Sequence, residues 1–139
     1  MNLITSIESF TFKLGGFFAS LYEVSFEKNV VTYVTKSSPF DEGLKYEKEI
    51  SSESIEIFQA KLNRLNFITW QDEYYNPVLD GEDWEIDITY NSSFRKKIFG
   101  LNGYPGDNSN YIGRTEIFNE LLLALNVLIQ EPVFFQMNS

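Results

Sequence analysis

The stretch Trp84-Glu85-Ile86-Asp87-Ile88-Thr89-Tyr90 alternates residue by residue. Trp84, Ile86, Ile88 and Tyr90 fall in one phase, while Glu85, Asp87 and Thr89 fall in the other. Successive side chains of a strand point to opposite faces, so this period of two predicts a strand with one face in the core and one in water. Upstream, Asp80-Gly81 is a turn signal; downstream, Asn91-Ser92-Ser93 turns the chain into Phe94–Phe99, giving a hairpin. Lys or Arg at positions 95 to 97 would then sit opposite the outward acids.

Working outward, residues 3–50 also favour strands. Phe10, Phe12 and Leu14 alternate with Thr11 and Lys13, and Gly15-Gly16 supplies the backbone freedom of a tight reversal. A second strand over Phe17–Phe26 places Tyr22, Val24 and Phe26 on one face. Glu27-Lys28-Asn29 turns into a third strand, Val30–Val34, and a fourth, charged strand from Leu44 to Ile50 suits a sheet edge. Ser51 or Ser52 caps a helix whose Ile55, Phe58, Leu62 and Leu65 share one stripe, with Asn66 ending it in the left-handed conformation. Thr115 caps a final helix in which Ile117, Phe118, Leu121, Leu122, Leu125, Leu128 and Ile129 form a broad apolar face, stopped by Pro132. The expected architecture is α+β: a largely antiparallel sheet of about six strands with two helices on one face, in the order ββββαββα, as a single domain over residues 1–139.

Composition excludes whole classes of chemistry. The chain has no Cys and no His, which removes disulfides, zinc fingers, haem sites ligated by those residues, cysteine proteases and Ser-His-Asp hydrolases. Its longest apolar stretch, Leu121–Ile129, is interrupted by Asn126 and is far short of the roughly 20 residues of a membrane span. No basic region precedes an apolar run at the start of the sequence, so a cytoplasmic address and no membrane association are expected.

Charge gives the functional lead. The formal net charge is −9, and between Gln71 and Tyr90 stand Asp72, Glu73, Asp80, Glu82, Asp83, Glu85 and Asp87 with no Lys or Arg. Such a segment either serves only as a solvated face or, by repelling phosphate backbones and attracting basic surfaces, makes a basic protein and not nucleic acid the expected partner. Tyr74, Tyr75 and Tyr104, together with Tyr111, fall in expected loops beside these acids, and rigid amphipathic rings next to charge are what a binding hot spot uses. The candidate partner-binding set is therefore Asp72, Glu73, Tyr74, Tyr75, Asp80, Glu82, Asp83, Glu85, Asp87 and Tyr104.

Metal and cofactor sites are not expected. Asp80-Gly81-Glu82-Asp83 lacks the spaced ligands of a calcium loop, and the run starting at Asp107 has Ile112 where glycine is wanted and Phe118 where a bidentate Glu should stand. Gly100-x-x-Gly103-x-x-Gly106 lacks the Lys-Ser/Thr ending of a phosphate-binding loop. No pair of carboxylates is singled out for acid–base work, so the expectation is a protein without catalytic activity. Two other readings stay open: a ligand-binding or carboxylate-dependent enzyme with a pocket beneath the loop from Gly100 to Gly113, and a structural subunit that forms oligomers.

The run Trp70, Tyr74, Asn76-Pro77, Leu79-Asp80-Gly81, Trp84, Ile86, Ile88, Tyr90, then Gly100, Asn102 and Tyr104-Pro105, resembles a pattern of small bacterial proteins of undetermined function. The likeness spans roughly residues 65 to 130 and carries no activity with it. Some small acidic bacterial proteins of this kind are similar to immunity proteins that cap toxins, so the resemblance implies a toxin as the basic partner.

Overall fold

Among the described residues ten elements follow one another: β1 (Ile7–Gly16), β2 (Leu21–Glu27), β3 (Val30–Lys36), β4 (Leu44–Glu49), α1 (Ser52–Arg64), a short 3-10 turn (Phe67–Thr69), β5 (Glu73–Tyr75), β6 (Glu82–Tyr90), β7 (Phe94–Leu101) and α2 (Glu116–Ile129). The computed structural model describes residues 3–16, 21–37, 42–76, 82–106 and 114–130. The strands make one seven-stranded sheet in the order β4-β3-β2-β1-β6-β7-β5. Every neighbouring pair is antiparallel except β5 and β7, which run parallel.

The architecture is α+β and mostly antiparallel, but the sheet has seven strands rather than about six, and the order is ββββαβββα rather than ββββαββα. The added strand is β5. Three residues long, it has no room to display an alternation, and it is held by backbone bonds from Phe99 to Asp72 and from Asn76 to Leu101. A second difference concerns Gly15 and Gly16. Both belong to β1, where they pair with Asp83 and Glu82, and β2 begins at Leu21; residues 17–20, where the reversal was also expected to have its second strand begin, lie outside the described residues.

β1 is the strand on which the sheet is built. Phe10, Phe12 and Leu14 lose all exposure, flanked by Phe26, Val24 and Tyr22 on β2 and by Ile88, Ile86 and Trp84 on β6. Both helices cover this face. Ser51 caps α1 by accepting from Ser54 N, and Phe58 drops from the helix edge-on to Phe10 and Phe26, with ring centroids 5.1 and 6.0 Å away. Thr115 caps α2 by accepting from Phe118 N, and Phe118 packs against Phe12, Trp84 and Tyr104. Each well-placed aromatic pair adds about 0.5–1.5 kcal/mol beyond simple burial. Lys48 reaches from the edge strand β4 to the Ile129 carbonyl, 2.7 Å away, and so places a cation at the negative end of α2. Among the described residues no helix is long and apolar enough to cross a membrane.

Trp84 sets the spacing between β6 and β7. Its indole lies over Gly100, donates to the Gly103 carbonyl at 2.8 Å, and stacks with Tyr74 and Tyr104. A Cβ at Gly100 would lie 1.9 Å from the indole nitrogen, so nothing larger than glycine fits there. Gly100→Ala is expected to displace the Trp84 ring and to destabilise the fold by about 1–3 kcal/mol. A lowered urea midpoint together with altered near-ultraviolet circular dichroism would show it; an unchanged midpoint would mean that the ring and strand adjust freely.

Candidate functional site

The helices occupy one face of the sheet, and the other carries Ser9, Thr11 and Lys13 of β1 and Asp83, Glu85, Asp87 and Thr89 of β6. Three acids of the acidic segment come together there. Glu73 on β5, Phe99 on β7 and Glu85 on β6 lie side by side in one cross-strand row. Tyr75, Leu101 and Asp83 form the adjacent row. Glu73, Asp83 and Glu85 are exposed, as are Phe99 (47%) and Tyr75 (69%), and Leu101 is half-buried between them. Two rows of three strands therefore present apolar side chains bordered by carboxylates. Lys13 on β1 stands opposite Glu85, but it also reaches Glu23, 3.7 Å away.

The remaining acids are placed elsewhere. Asp87 is on the same face, directly opposite Lys97, and forms a two-pronged pair with Arg95 at 2.7 and 3.1 Å. The hydrogen bonds from Arg95 hold the Asp87 carboxyl below its usual range. Asp72 is at the sheet edge, 3.5 Å from Lys96, which also donates to the Trp70 carbonyl. Asp80 lies outside the described residues, as do Tyr111, Pro132 and most of the Asp107 run.

Glu82 belongs to the opposite side of the sheet. Its carboxylate receives Arg114 through two bonds, at 2.9 and 2.5 Å, and the Tyr104 hydroxyl at 2.8 Å. Burial and then the adjacent Glu82 charge push the Tyr104 phenol well above its ordinary value, so it stays protonated and donates. Burial opposes the charge on Arg114, yet Glu82 holds it charged and above its ordinary value. Two hydrogen bonds between Glu82 and Asn102 join the same corner: Glu82 N donates to Asn102 Oδ1, and Asn102 N to the Glu82 carbonyl. This is a clasp that ties the start of β6 to the segment entering α2. Tyr104 is 8% exposed and Tyr74 is half-buried, its hydroxyl accepting from Gln71 N and its pKa raised by burial.

Nine of the ten candidate residues divide by position, the tenth, Asp80, lying outside the described residues. Glu73, Tyr75, Asp83 and Glu85 gather on the bare face; Asp87 is beside them but paired; Asp72 is at the edge; Glu82, Tyr74 and Tyr104 are in or under the clasp. Phe99 and Leu101 were not among them. Their signal was present, because both share the phase of Arg95 and Lys97, the expected outward positions of β7. No three acidic side chains among the described residues converge closely enough to hold a metal ion.

The two kinds of ion pair separate in a stability measurement. Arg114→Met leaves the Glu82 carboxylate, with its side chain only 23% exposed, without its cation, and is expected to cost about 2 kcal/mol or more. Asp87→Asn removes a solvent-screened pair and changes the neutral-pH midpoint only slightly. Because the folded Asp87 pKa is depressed, its contribution is present above the unfolded value, near 4, and is lost as pH falls through the folded value. Urea midpoints from pH 2 to 7 should therefore fall less steeply below about pH 4 in Asp87→Asn than in the wild type. An equally steep acid limb would assign that dependence to other carboxylates.

Comparison of the chain with protein-family models and with curated proteins finds no match.

Proposed function

We propose that the chain is a non-catalytic binding protein that docks a basic protein on the bare face of β5, β7 and β6. The observation that carries this reading is the grouping of Glu73, Asp83 and Glu85 around the exposed rings of Phe99 and Tyr75. Carboxylates around an apolar centre suit a partner with lysine or arginine bordering an apolar contact. The rings also offer π-faces to incoming cations. The field of the acids speeds encounter and selects against acidic competitors, while the rings hold the complex once formed. Nucleic acid is disfavoured, since the same carboxylates repel its phosphates. In this reading the chain works in the cytoplasm, needs no cofactor, and caps a basic toxin in the manner of an immunity protein.

A direct test immobilises the wild-type chain and the triple variant Glu73→Lys, Asp83→Lys, Glu85→Lys and offers both the same cell lysate at low salt and at about 0.5 M salt. The wild type is expected to retain a basic protein at low salt, to release most of it at high salt, and the triple variant to retain none. Against the purified partner, Tyr75→Ala should weaken binding by about tenfold or more, chiefly through faster dissociation. Retention of the same protein by both chains, or no basic protein at low salt, would defeat the proposal.

A further inference from the structure

On the helix side of the molecule, opposite the docking face, α1 presents a stripe of four exposed residues: Glu53, Ile57, Ala60 and Arg64. Their spacing of four, three and four keeps them on one line of the helix surface. The line is acidic at its start, apolar in its middle and basic at its end. Beside Ile57, which is 54% exposed, the helices leave a groove of about 320 Å³ whose walls include Phe58, Leu123, Ala124, Val127 and Leu128. Val127 is 65% exposed. Lys61 and Glu120, an ion pair at 2.5 Å, also line the groove. Neither Glu53 nor Arg64 takes part in an ion pair among the described residues.

We propose that this surface pairs with a second copy of the chain, α1 against α1 in antiparallel orientation about a two-fold axis. The argument is self-complementarity. A two-fold axis midway between Ile57 and Ala60 exchanges those two positions and, in the same operation, brings Glu53 of each copy to Arg64 of the other. The small Ala60 lets the helices approach, and the opposing Ile57 then enters the mouth of the groove between α1 and α2, beside Leu123 and Val127. An acid at the first turn and a base at the last also suit the helix dipole, but the dipole gives no reason for Ile57 and Val127 to face water. The pairing leaves the bare sheet face open, so it is independent of the proposed docking function.

Sedimentation over about three decades of protein concentration tests the pairing. The wild type is expected to pass from monomer to dimer within that range. Glu53→Arg alone and Arg64→Glu alone each place like charges together twice per dimer and should weaken it by about tenfold. The double variant Glu53→Arg, Arg64→Glu restores opposite charges at both contacts and should return the dissociation constant to within about threefold of the wild type. Ile57→Asp, and separately Val127→Asp, should be monomeric throughout, with far-ultraviolet circular dichroism confirming that each variant is folded. A wild type that stays monomeric at the highest concentration overturns the proposal. So does a dimer indifferent to the single reversals, one that the double reversal fails to restore, or one that survives both aspartates in folded protein.

Discussion

The pleat of β6 is the constraint on which the rest of the structure depends. One strand has to supply the floor of the core and the acids of the solvent face, and the strict period of two allows it to do both. Trp84, Ile86 and Ile88 are essentially without exposure, while Asp83 and Glu85, one residue away along the backbone, are in water. A slip of one residue would bury carboxylates and expose an indole. The register against β1 is accordingly well determined: Phe10, Phe12 and Leu14 meet Ile88, Ile86 and Trp84, and the indole occupies the space left by Gly100 on the other side.

The same pleat shows why a total of charges along a segment differs from a field at a surface. Glu82 and Asp83 are adjacent in sequence but project from opposite faces of the sheet. Glu82 turns toward the helices, where Arg114 and Tyr104 satisfy it, and a carboxylate so partnered contributes little to the potential outside. Asp87 faces solvent but shares its charge with Arg95 and Lys97. The acids left exposed on the bare face, Glu73, Asp83 and Glu85, are fewer than the sequence count, and they lie on β5 and β6 at one side of the sheet.

Most of the fold was legible in the sequence because its elements are long enough to show a period. The alternations of β1 and β6, the stripe of Ile55, Phe58, Leu62 and Leu65, and the caps at Ser51 and Thr115 each state their own local structure. β5 was not legible, since three residues fix no period and its partner is set by tertiary contact. The position of β1 between β2 and β6 was likewise hidden, because alternation tells which face a residue occupies but not which strand lies alongside. Of the site, the grouping of Glu85 with Asp83 was readable from phase; the presence of Glu73 and Tyr75 beside them depends on β5 lying next to β7. The diversion of Glu82 and Tyr104 into a clasp required Arg114, whose approach to them no local pattern announced.

The central place of β1 has a consequence for how the molecule is made. The first strand of this sheet in chain order pairs on one side with β2, its near neighbour in sequence, but its other edge is completed by β6, with Ile7 facing Tyr90 and Gly16 facing Glu82. A nascent chain carrying only β1 to β4 therefore holds a four-stranded meander whose most apolar strand has an open rim of unsatisfied amides. α1 emerges next and brings Phe58 over Phe10 and Phe26, covering the greasy side of that meander before the missing strand arrives. Whatever order the other elements form in, the edge of β1 that β6 completes stays unpaired until the chain has been made through residue 90, and the sheet can close only then.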